Sequence, residues 1–166
     1  MMHIVLLEPE IPANTGNIGR TCVSTGAHLH LIRPLGFSLE EKEIRRAGLD
    51  YWKDLDVSVY DSYEDFQAKN PDARVWYATT KAKICYTDAV FTDGDYLMFG
   101  KESLGIPEEI LVQYPERCIR IPMVKDNRSL NLSNSAAIVL YEALRQLDFA
   151  GLESEGALHR LSWKKP

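Results

Sequence analysis

Uncharged hydrogen-bonding side chains crowd the segment NRSLNLSN, residues 127–134, directly before the apolar run AAIVLYEAL. A single Ser or Asn oxygen satisfies only one or two of the free N–H groups at a helix start, so one such residue suffices as a cap. Capping alone therefore does not explain the whole segment. Ser129, Asn131 and Asn134 are each candidates either to cap the following helix or to bind a ligand.

Three further polar segments follow apolar runs, namely PANTGNIGRT (12–21), ATTK (78–81) and FGKESLGIP (99–107). Their glycines and prolines favour irregular backbone, whose N–H and C=O groups are free to face a ligand. In parallel α/β sheets, ligands bind at the loops that follow the carboxyl ends of the strands. We therefore expect these segments and residues 121–134 to form one site.

Several common catalytic and cofactor-binding patterns are absent from the sequence. It contains no G-x-G-x-x-G after the first strand, no Walker lysine loop and no G-x-S-x-G elbow. His28 and His30 alternate on one predicted strand, whereas His3 and His159 stand alone, which favours structural or surface roles. The three cysteines are far apart and match neither a metal site nor a disulfide framework, which predicts a reducing, cytoplasmic setting.

The composition is that of one ordinary globular domain over residues 1–166, with 45% hydrophobic and 26% charged residues. No apolar stretch approaches the roughly 20 residues that cross a bilayer. The start of the chain reaches Glu8 too soon for a signal peptide. The formal net charge of −5 argues against non-specific binding to nucleic acid, although local basic patches are compatible with it.

Strand and helix patterns alternate along the chain, which predicts an α/β fold with a mainly parallel sheet flanked by helices. The predicted strands cover residues 3–8, 28–34, 56–61, 73–80, 95–100 and 117–122. The predicted helices cover residues 38–48, with a Ser38–Glu41 capping box, 62–70, with Ser62 as the cap, 106–114 and 133–149. Residues 14–27 are predicted as a loop that enters a helix, with Asn14 or Asn17 near the cap.

Three segments resemble, in this order, the motifs of SPOUT-class RNA 2′-O-methyltransferases of the SpoU family: NTGNIGRT, LMFGKESLGIP and IRIPMVKDNRSLNLSNSAAIVLYEALRQ. IVLLEPEIPANTGNIGR and RRAGLDYW further resemble the subfamily that methylates the wobble cytidine or uridine of tRNA. The likeness covers nearly the whole chain. It implies a C-terminal deep trefoil knot, a homodimer, S-adenosyl-L-methionine bound by the knot loops, and the tRNA anticodon stem-loop as substrate.

Carried over to this chain, the motifs of the family assign roles to individual residues. The cofactor pocket would comprise Ala78, Thr79, Gly100, Gly105, Ile121, Ser129 and Leu130. The catalytic residues would be Arg20, Ser129 and Asn131, and the RNA-binding residues Asn14, Arg20 and Tyr141. Glu102 would fix the knot loop through backbone N–H groups, and no metal is implied. The Ser and Asn cluster at 127–134 would then line the cofactor, the substrate and the helix start together.

Methyl transfer to a ribose hydroxyl needs alignment of the hydroxyl with the methyl donor and loss of the hydroxyl proton. A guanidinium holds its proton at every physiological pH and is a poor general base. We therefore expect Arg20 to bind a phosphate and to stabilise the developing alkoxide.

The last predicted helix carries Ile138 and Val139 outside the apolar face formed by Ala136, Leu140 and Leu144. These extra apolar positions predict that the helix lies in or beside a dimer interface, where Tyr141 packs against the partner or stacks on RNA. Three alternatives remain. One is an enzyme of the same class acting on another tRNA or rRNA nucleotide, and another is a non-catalytic knotted RNA-binding protein. The third, a flavodoxin-like nucleotide-binding domain, requires a phosphate loop that the sequence does not show.

Overall fold

The computed structural model describes residues 1–40 and 50–164. These residues form a seven-stranded sheet in which every strand pairing is parallel. The strands are β1 (His3–Leu7), β2 (His28–Ile32), β3 (Val57–Tyr60), β4 (Val75–Ala78), β5 (Ile84–Cys85), β6 (Tyr96–Gly100) and β7 (Cys118–Arg120). Their order across the sheet is β3-β2-β1-β6-β4-β7-β5. The predicted strands and the predicted parallel α/β architecture are therefore confirmed.

Strand β5 was not predicted from the sequence. It has two residues, lies at the edge of the sheet and pairs with β7 only through Ile84 and Cys85. Two residues are too few to show the alternation of apolar and polar positions by which a strand is recognised.

The central strands read as continuous apolar runs because both faces of the sheet are covered. Consecutive residues of a strand point to opposite faces, so Val5 and Leu6 of β1, both 0% exposed, enter different cores. The core that contains Leu6 also contains residues of the first and last helices. The core that contains Val5 also contains Phe66 and Leu111 from two shorter helices.

The helices of the described residues are α1 (Pro12–Thr25), α2 (Tyr63–Lys69), α3 (Glu108–Leu111) and α4 (Leu132–Gln146). The predicted cap of α2 is confirmed, because the Asp65 backbone N–H donates to Ser62 Oγ at 3.1 Å. The predicted helix over residues 38–48, with its capping box at Ser38 and Glu41, falls largely on residues 41–49, which lie outside the described residues.

Residues 14–27 were predicted as a loop that enters a helix; the helix is confirmed but the loop is wrong, since α1 already begins at Pro12. Proline suits the first helical turn because its fixed φ is helical and it has no N–H to leave unpaired. Neither Asn14 nor Asn17 caps the helix, and Ile11 at the cap position offers no side-chain acceptor. The segment directly before this helix is held by a residue distant in the chain, because the backbone N–H groups of Glu10 and Ile11 donate to the Glu102 carboxylate, and a local pattern does not show this.

Helix α4 confirms most of the predicted last helix but ends at Gln146, three residues early. Val139 was predicted to lie outside the core-facing stripe, yet it is 0% exposed, whereas Ile138 is 36% exposed. The prediction for Val139 is wrong because α4 packs against both α1 and β6, so its buried face is wider than one stripe. Within the described residues, no helix combines the length and the apolar composition needed to cross a membrane.

Three histidines cluster at the amino-terminal ends of β1 and β2, so the prediction that His3 stands alone is wrong. His3 Nδ1 lies 2.9 Å from His30 Nε2, and His30 Nδ1 lies 2.8 Å from the Tyr60 hydroxyl. His28 lies between Asp56, at 2.7 Å, and Ser58, at 2.9 Å. The parallel register sets His3 beside His28, a proximity that the separation of the two residues in the chain conceals. The described residues contain no group of three or more His, Cys, Asp or Glu that could hold a metal.

Burial is the main reason why the pKa of His30 is lowered to about 3, and the nearby His28 and His3 add to the effect. The pKa of His3 is also lowered, by burial first and then by His28. Between pH 6.5 and 3 the unfolded chain therefore binds a proton at His30 that the folded chain does not bind. The contribution of His30 to the free energy of unfolding is therefore fully present above about pH 6.5 and is lost as the pH falls through this window.

We expect the titration of His30 to lower the free energy of unfolding by about 2 kcal/mol between pH 7 and pH 5. His30→Gln removes the titrating group and should flatten this dependence, whereas His159→Gln, at an exposed position, should leave it unchanged. Urea unfolding of the three proteins at pH 7, 6 and 5 measures the effect. Parallel pH profiles for the wild type and His30→Gln would contradict the assignment.

Candidate active site

A cavity of about 570 Å³ opens at the carboxyl ends of β6, β4 and β7, which are neighbours in the sheet. Its size lies within the range of about 300–1,000 Å³ that is usual for small-molecule sites. The predicted cofactor positions all line it: Ala78, Thr79, Gly100, Gly105, Ile121, Ser129 and Leu130. Asn14 and Asn131 line it as well. Segments that are far apart in the chain thus meet at one place, as the parallel topology predicts.

Gly100 ends β6 with a φ of +104°, and a Cβ at this position would lie 2.5 Å from the Leu7 carbonyl oxygen. Any side chain would therefore collide with the backbone of β1. The close neighbour of Gly100 in this structure is the adjacent strand. Gly105 differs, because its φ of +70° favours glycine although a Cβ would meet nothing within 4 Å.

The Glu102 side chain joins the loop after β6 to the segment between β1 and α1. Its carboxylate accepts hydrogen bonds from the backbone N–H of Glu10 at 2.9 Å and of Ile11 at 3.2 Å. Asn14 Nδ2 donates to the same carboxylate at 3.4 Å. Glu102 does bind backbone N–H groups as predicted, but these belong to the two residues directly before α1 and not to residues 121–131.

The residues on either side of Glu102 reinforce this junction. The Ser103 backbone N–H and hydroxyl donate to the Glu10 carboxylate at 2.8 and 2.7 Å, and Lys101 pairs with Glu8. The hydrogen bonds from Ser103 hold the pKa of Glu10 below its ordinary value. Three consecutive residues of one loop therefore hold residues 8–14 in place.

Asn131 serves both the helix and the cavity. Its Oδ1 accepts from the backbone N–H of Ser133 at 2.9 Å and of Asn134 at 3.3 Å, so Asn131 is the cap of α4. Its Nδ2 donates to Asn14 Oδ1 at 3.0 Å. Of the capping candidates that the sequence left open, Asn131 is the one that the structure selects. Glu102, Asn14 and Asn131 form a hydrogen-bonded chain across the floor of the cavity, and Asn14 is only 6% exposed.

Two of the predicted RNA-binding residues lie away from this cavity. Arg20 is exposed on α1, six residues after Asn14, which corresponds to about 9 Å along the helix axis. Tyr141 is 45% exposed on α4. One chain therefore brings Ser129 and Asn131 together but does not bring Arg20 to them.

Charged residues to which the sequence reading gave no individual role also line the cavity. Lys81 pairs with Glu108 at 2.7 Å, and this contact lowers the pKa of Glu108. Arg128 lines the cavity and is exposed. Its position directly before Ser129 is the signal by which it could have been found.

The lining fits an adenosine-containing cofactor. Ala78, Ile121 and Leu130 offer apolar surface to an adenine ring, while the irregular loops leave backbone groups for its polar edge. The absence of a side chain at Gly100 keeps the strand end open. A parallel α/β sheet with such a cavity at its carboxyl edge defines a nucleotide- or cofactor-binding enzyme of the α/β class.

Comparison with known proteins identifies the family. Residues 1–141 match the model of the SpoU rRNA Methylase family, and the chain belongs to this family of methyltransferases. The chain is 51% identical over 153 residues to tRNA (cytidine(34)-2'-O)-methyltransferase of Escherichia coli (strain K12), an alignment that covers 91% of this chain and 97% of that protein.

Solved structures agree with this assignment. A structure that gives insight into the 2-OH methylation of C/U34 on tRNA superposes with a TM-score of 0.83 at 46% identity, covering 89% of this chain and 97% of the other. An AdoMet-bound rRNA methyltransferase from Sinorhizobium meliloti superposes with a TM-score of 0.77 at 25% identity, covering 88% of this chain and 56% of the other. S-adenosylmethionine is the methyl donor of the family.

We expect Asn131→Ala to lower the free energy of unfolding by about 1 kcal/mol and the Tm by roughly 2–4 °C, because α4 loses its cap. Asn134→Ala is the matched control. This substitution removes the side-chain amide of Asn134, which lies in the first turn of α4. That amide forms no hydrogen bond with the described residues, 1–40 and 50–164. Thermal unfolding at pH 7 compares the two. An Asn134→Ala variant that melts as early as Asn131→Ala would contradict the assignment of the cap.

Proposed function

We propose that the protein transfers the methyl group of S-adenosylmethionine to the ribose 2′-hydroxyl of nucleotide 34, the wobble nucleotide of the tRNA anticodon. The observation that carries this proposal is the single cavity in which Asn14, Gly100, Ser129 and Asn131 meet. It occurs in a chain that is 51% identical, over nearly its whole length, to a protein of that activity. Cytidine and modified uridine at position 34 are the proposed targets.

S-adenosylmethionine would supply, when bound, a methyl group on a positively charged sulfur: the ribose oxygen gains the methyl group, the sulfur leaves as neutral S-adenosylhomocysteine, and the hydroxyl proton passes to water. The apolar side chains of Ala78, Ile121 and Leu130 would hold the adenine, and the loops that follow β4, β6 and β7 would enclose the rest. Ser129 and Asn131 orient the ribose at the mouth of the cavity. Most of the rate enhancement then comes from alignment of the reacting groups.

Glu102 is a positioning residue in this scheme and not the base. Its carboxylate already accepts two backbone N–H groups and the amide of Asn14. The oxygens of this carboxylate are therefore already engaged by donors of the protein. Glu102 therefore acts through Asn14 and Asn131, whose side chains face the cavity.

Arg20 acts on the substrate from a second copy of the chain. Arg20 does not line the cavity of its own chain, so a dimer is the arrangement that brings it to a reacting ribose. Ile138 and Tyr141, exposed on α4, offer apolar surface for such pairing, and α4 packs against α1. The guanidinium then contacts an RNA phosphate and the developing alkoxide.

The remaining features of the proposal concern the chain as a whole. Residues 1–166 act as one domain, in which the segment around residues 121–146 threads a loop to form the trefoil knot of the family. The protein works in the cytoplasm, where its substrate tRNA is found. The three free cysteines, Cys22, Cys85 and Cys118, are compatible with that reducing compartment.

The direct test is methyl transfer from labelled S-adenosylmethionine to tRNA, followed by mapping of the modified nucleotide. We expect one 2′-O-methyl group at nucleotide 34, and none on a matched tRNA with a 2′-deoxyribose at that position. A methyl group at another nucleotide would favour an enzyme of the same class with a different target. Cofactor and RNA binding without any transfer would favour a non-catalytic RNA-binding protein.

We expect Arg20→Ala to lower the rate of methyl transfer about a hundredfold, the effect of losing roughly 3 kcal/mol of transition-state stabilisation. Cofactor affinity and Tm should stay at the wild-type values because Arg20 is exposed and forms no side-chain hydrogen bond or ion pair with the described residues. Arg20→Lys should restore little, since an ammonium cannot bind a phosphate in the bidentate manner of a guanidinium.

The rate of methyl transfer, the cofactor affinity from calorimetry and the Tm are measured on the same preparations. Sedimentation at micromolar protein concentration should show a dimer. An Arg20→Ala variant with full turnover would remove Arg20 from the mechanism. A fully active monomer would overturn the proposal that it acts from a partner.

A further inference from the structure

We infer that Arg128 binds a backbone phosphate of the RNA beside the reacting ribose and is the substrate-binding cation that each chain contributes to its own cavity. The inference rests on the proposed function, because it names the group that holds the RNA at the same site. It assigns a role to a residue that the motif resemblance and the hydrogen-bonded chain of Glu102, Asn14 and Asn131 leave unused.

The charges around the cavity are paired, with one exception. Lys81 pairs with Glu108, and Lys101 pairs with Glu8. Glu102 is compensated by the N–H groups of residues 10 and 11. Among the cavity-lining charges of the described residues, Arg128 alone has neither an ion pair nor a hydrogen bond. A positive charge without a counter-ion therefore lies at a cavity whose other charges are neutralised.

The position of Arg128 matches a phosphate at the rim of the site. It directly precedes Ser129 and lies three residues before Asn131, the two residues proposed to orient the ribose. A sugar and its flanking phosphates are covalent neighbours in RNA, so a cation next to the ribose contacts meets a phosphate. The planar guanidinium can donate two parallel hydrogen bonds to phosphate oxygens.

The cofactor carboxylate is the other anion that could reach Arg128. Exposure separates the two possibilities. Arg128 is exposed, whereas Gly100 is buried and Ala78, Ile121 and Leu130 are half-buried. Gly100 and the three positions proposed to hold the adenine therefore lie deeper than Arg128, which is exposed to the solvent from which a polymer approaches. This arrangement favours the RNA phosphate.

The chain offers a matched control for this assignment. Lys125 belongs to the same loop and carries the same charge, but it does not line the cavity. Arg128→Gln and Lys125→Gln each remove one positive charge, so any effect of net charge is common to both. An effect specific to Arg128 then reports contact at the cavity.

The experiment measures methyl transfer to tRNA at several salt concentrations, cofactor affinity by calorimetry, and Tm for the wild type and both variants. We expect Arg128→Gln to lower kcat/KM for tRNA about ten- to a hundredfold at low salt, mainly through KM. The slope of log(kcat/KM) against log salt should decrease by about one, because one phosphate contact is lost. Cofactor affinity and Tm should not change, and Lys125→Gln should resemble the wild type.

Three results would overturn the inference. Weakened cofactor binding with an unchanged KM for tRNA would assign Arg128 to the cofactor carboxylate. Equal losses of kcat/KM in Arg128→Gln and Lys125→Gln would show that the effect comes from net charge alone. An Arg128→Gln variant with wild-type kinetics would show that Arg128 does not bind the substrate. A wild-type protein that methylates no tRNA would contradict the proposed function itself. The wild-type measurement reveals this without either variant, so it is distinct from a failure of the Arg128 inference.

Discussion

The hydrogen bonds that converge on Asn14 are the interaction on which the geometry of the site depends. Glu102 holds the amide nitrogen of Asn14, and Asn131 holds its amide oxygen, so one nearly buried side chain joins three segments of the chain. Hydrogen bonds to a charged group contribute about 1.5–3 kcal/mol each, more than neutral ones. The same carboxylate accepts the N–H groups of the two residues directly before α1, so this segment and the loop after β6 are held together.

This arrangement explains why a binding site can be built with few free charges. The carboxylate of Glu102 and the ammonium groups of Lys81 and Lys101 are all compensated within the protein. The cavity is therefore left with apolar side chains, amides and backbone groups, which suit a cofactor that carries both charge signs. A chain with a net charge of −5 can bind a polyanion only where uncompensated cations are concentrated.

The parallel sheet also separates stability from chemistry. The cavity lies at the carboxyl ends of the strands, whereas His3 and His28 begin β1 and β2 at the opposite edge. Protonation of the histidine cluster therefore affects the packing of the sheet at a distance from the reacting groups.

Local pattern determined much of this protein. Apolar runs predict the strands because a doubly covered parallel sheet buries every residue of its central strands, and Ser62 predicts the cap of α2 because that hydrogen bond spans only three residues. The polar loops after strands also predicted that residues 99–107 and 121–134 would meet, and the family resemblance named Gly100, Ile121 and Ser129 within them. Only the tertiary structure decided the rest. The Glu102 carboxylate, far along the chain, accepts the backbone N–H groups of Glu10 and Ile11 directly before helix α1, and His3 meets His30 through strand register. Val139 is buried because α4 packs on two elements, and Arg20 lies outside the cavity because residues 12–25 are helical. Each of these outcomes depends on contacts between segments far apart in the chain, which a local pattern cannot contain.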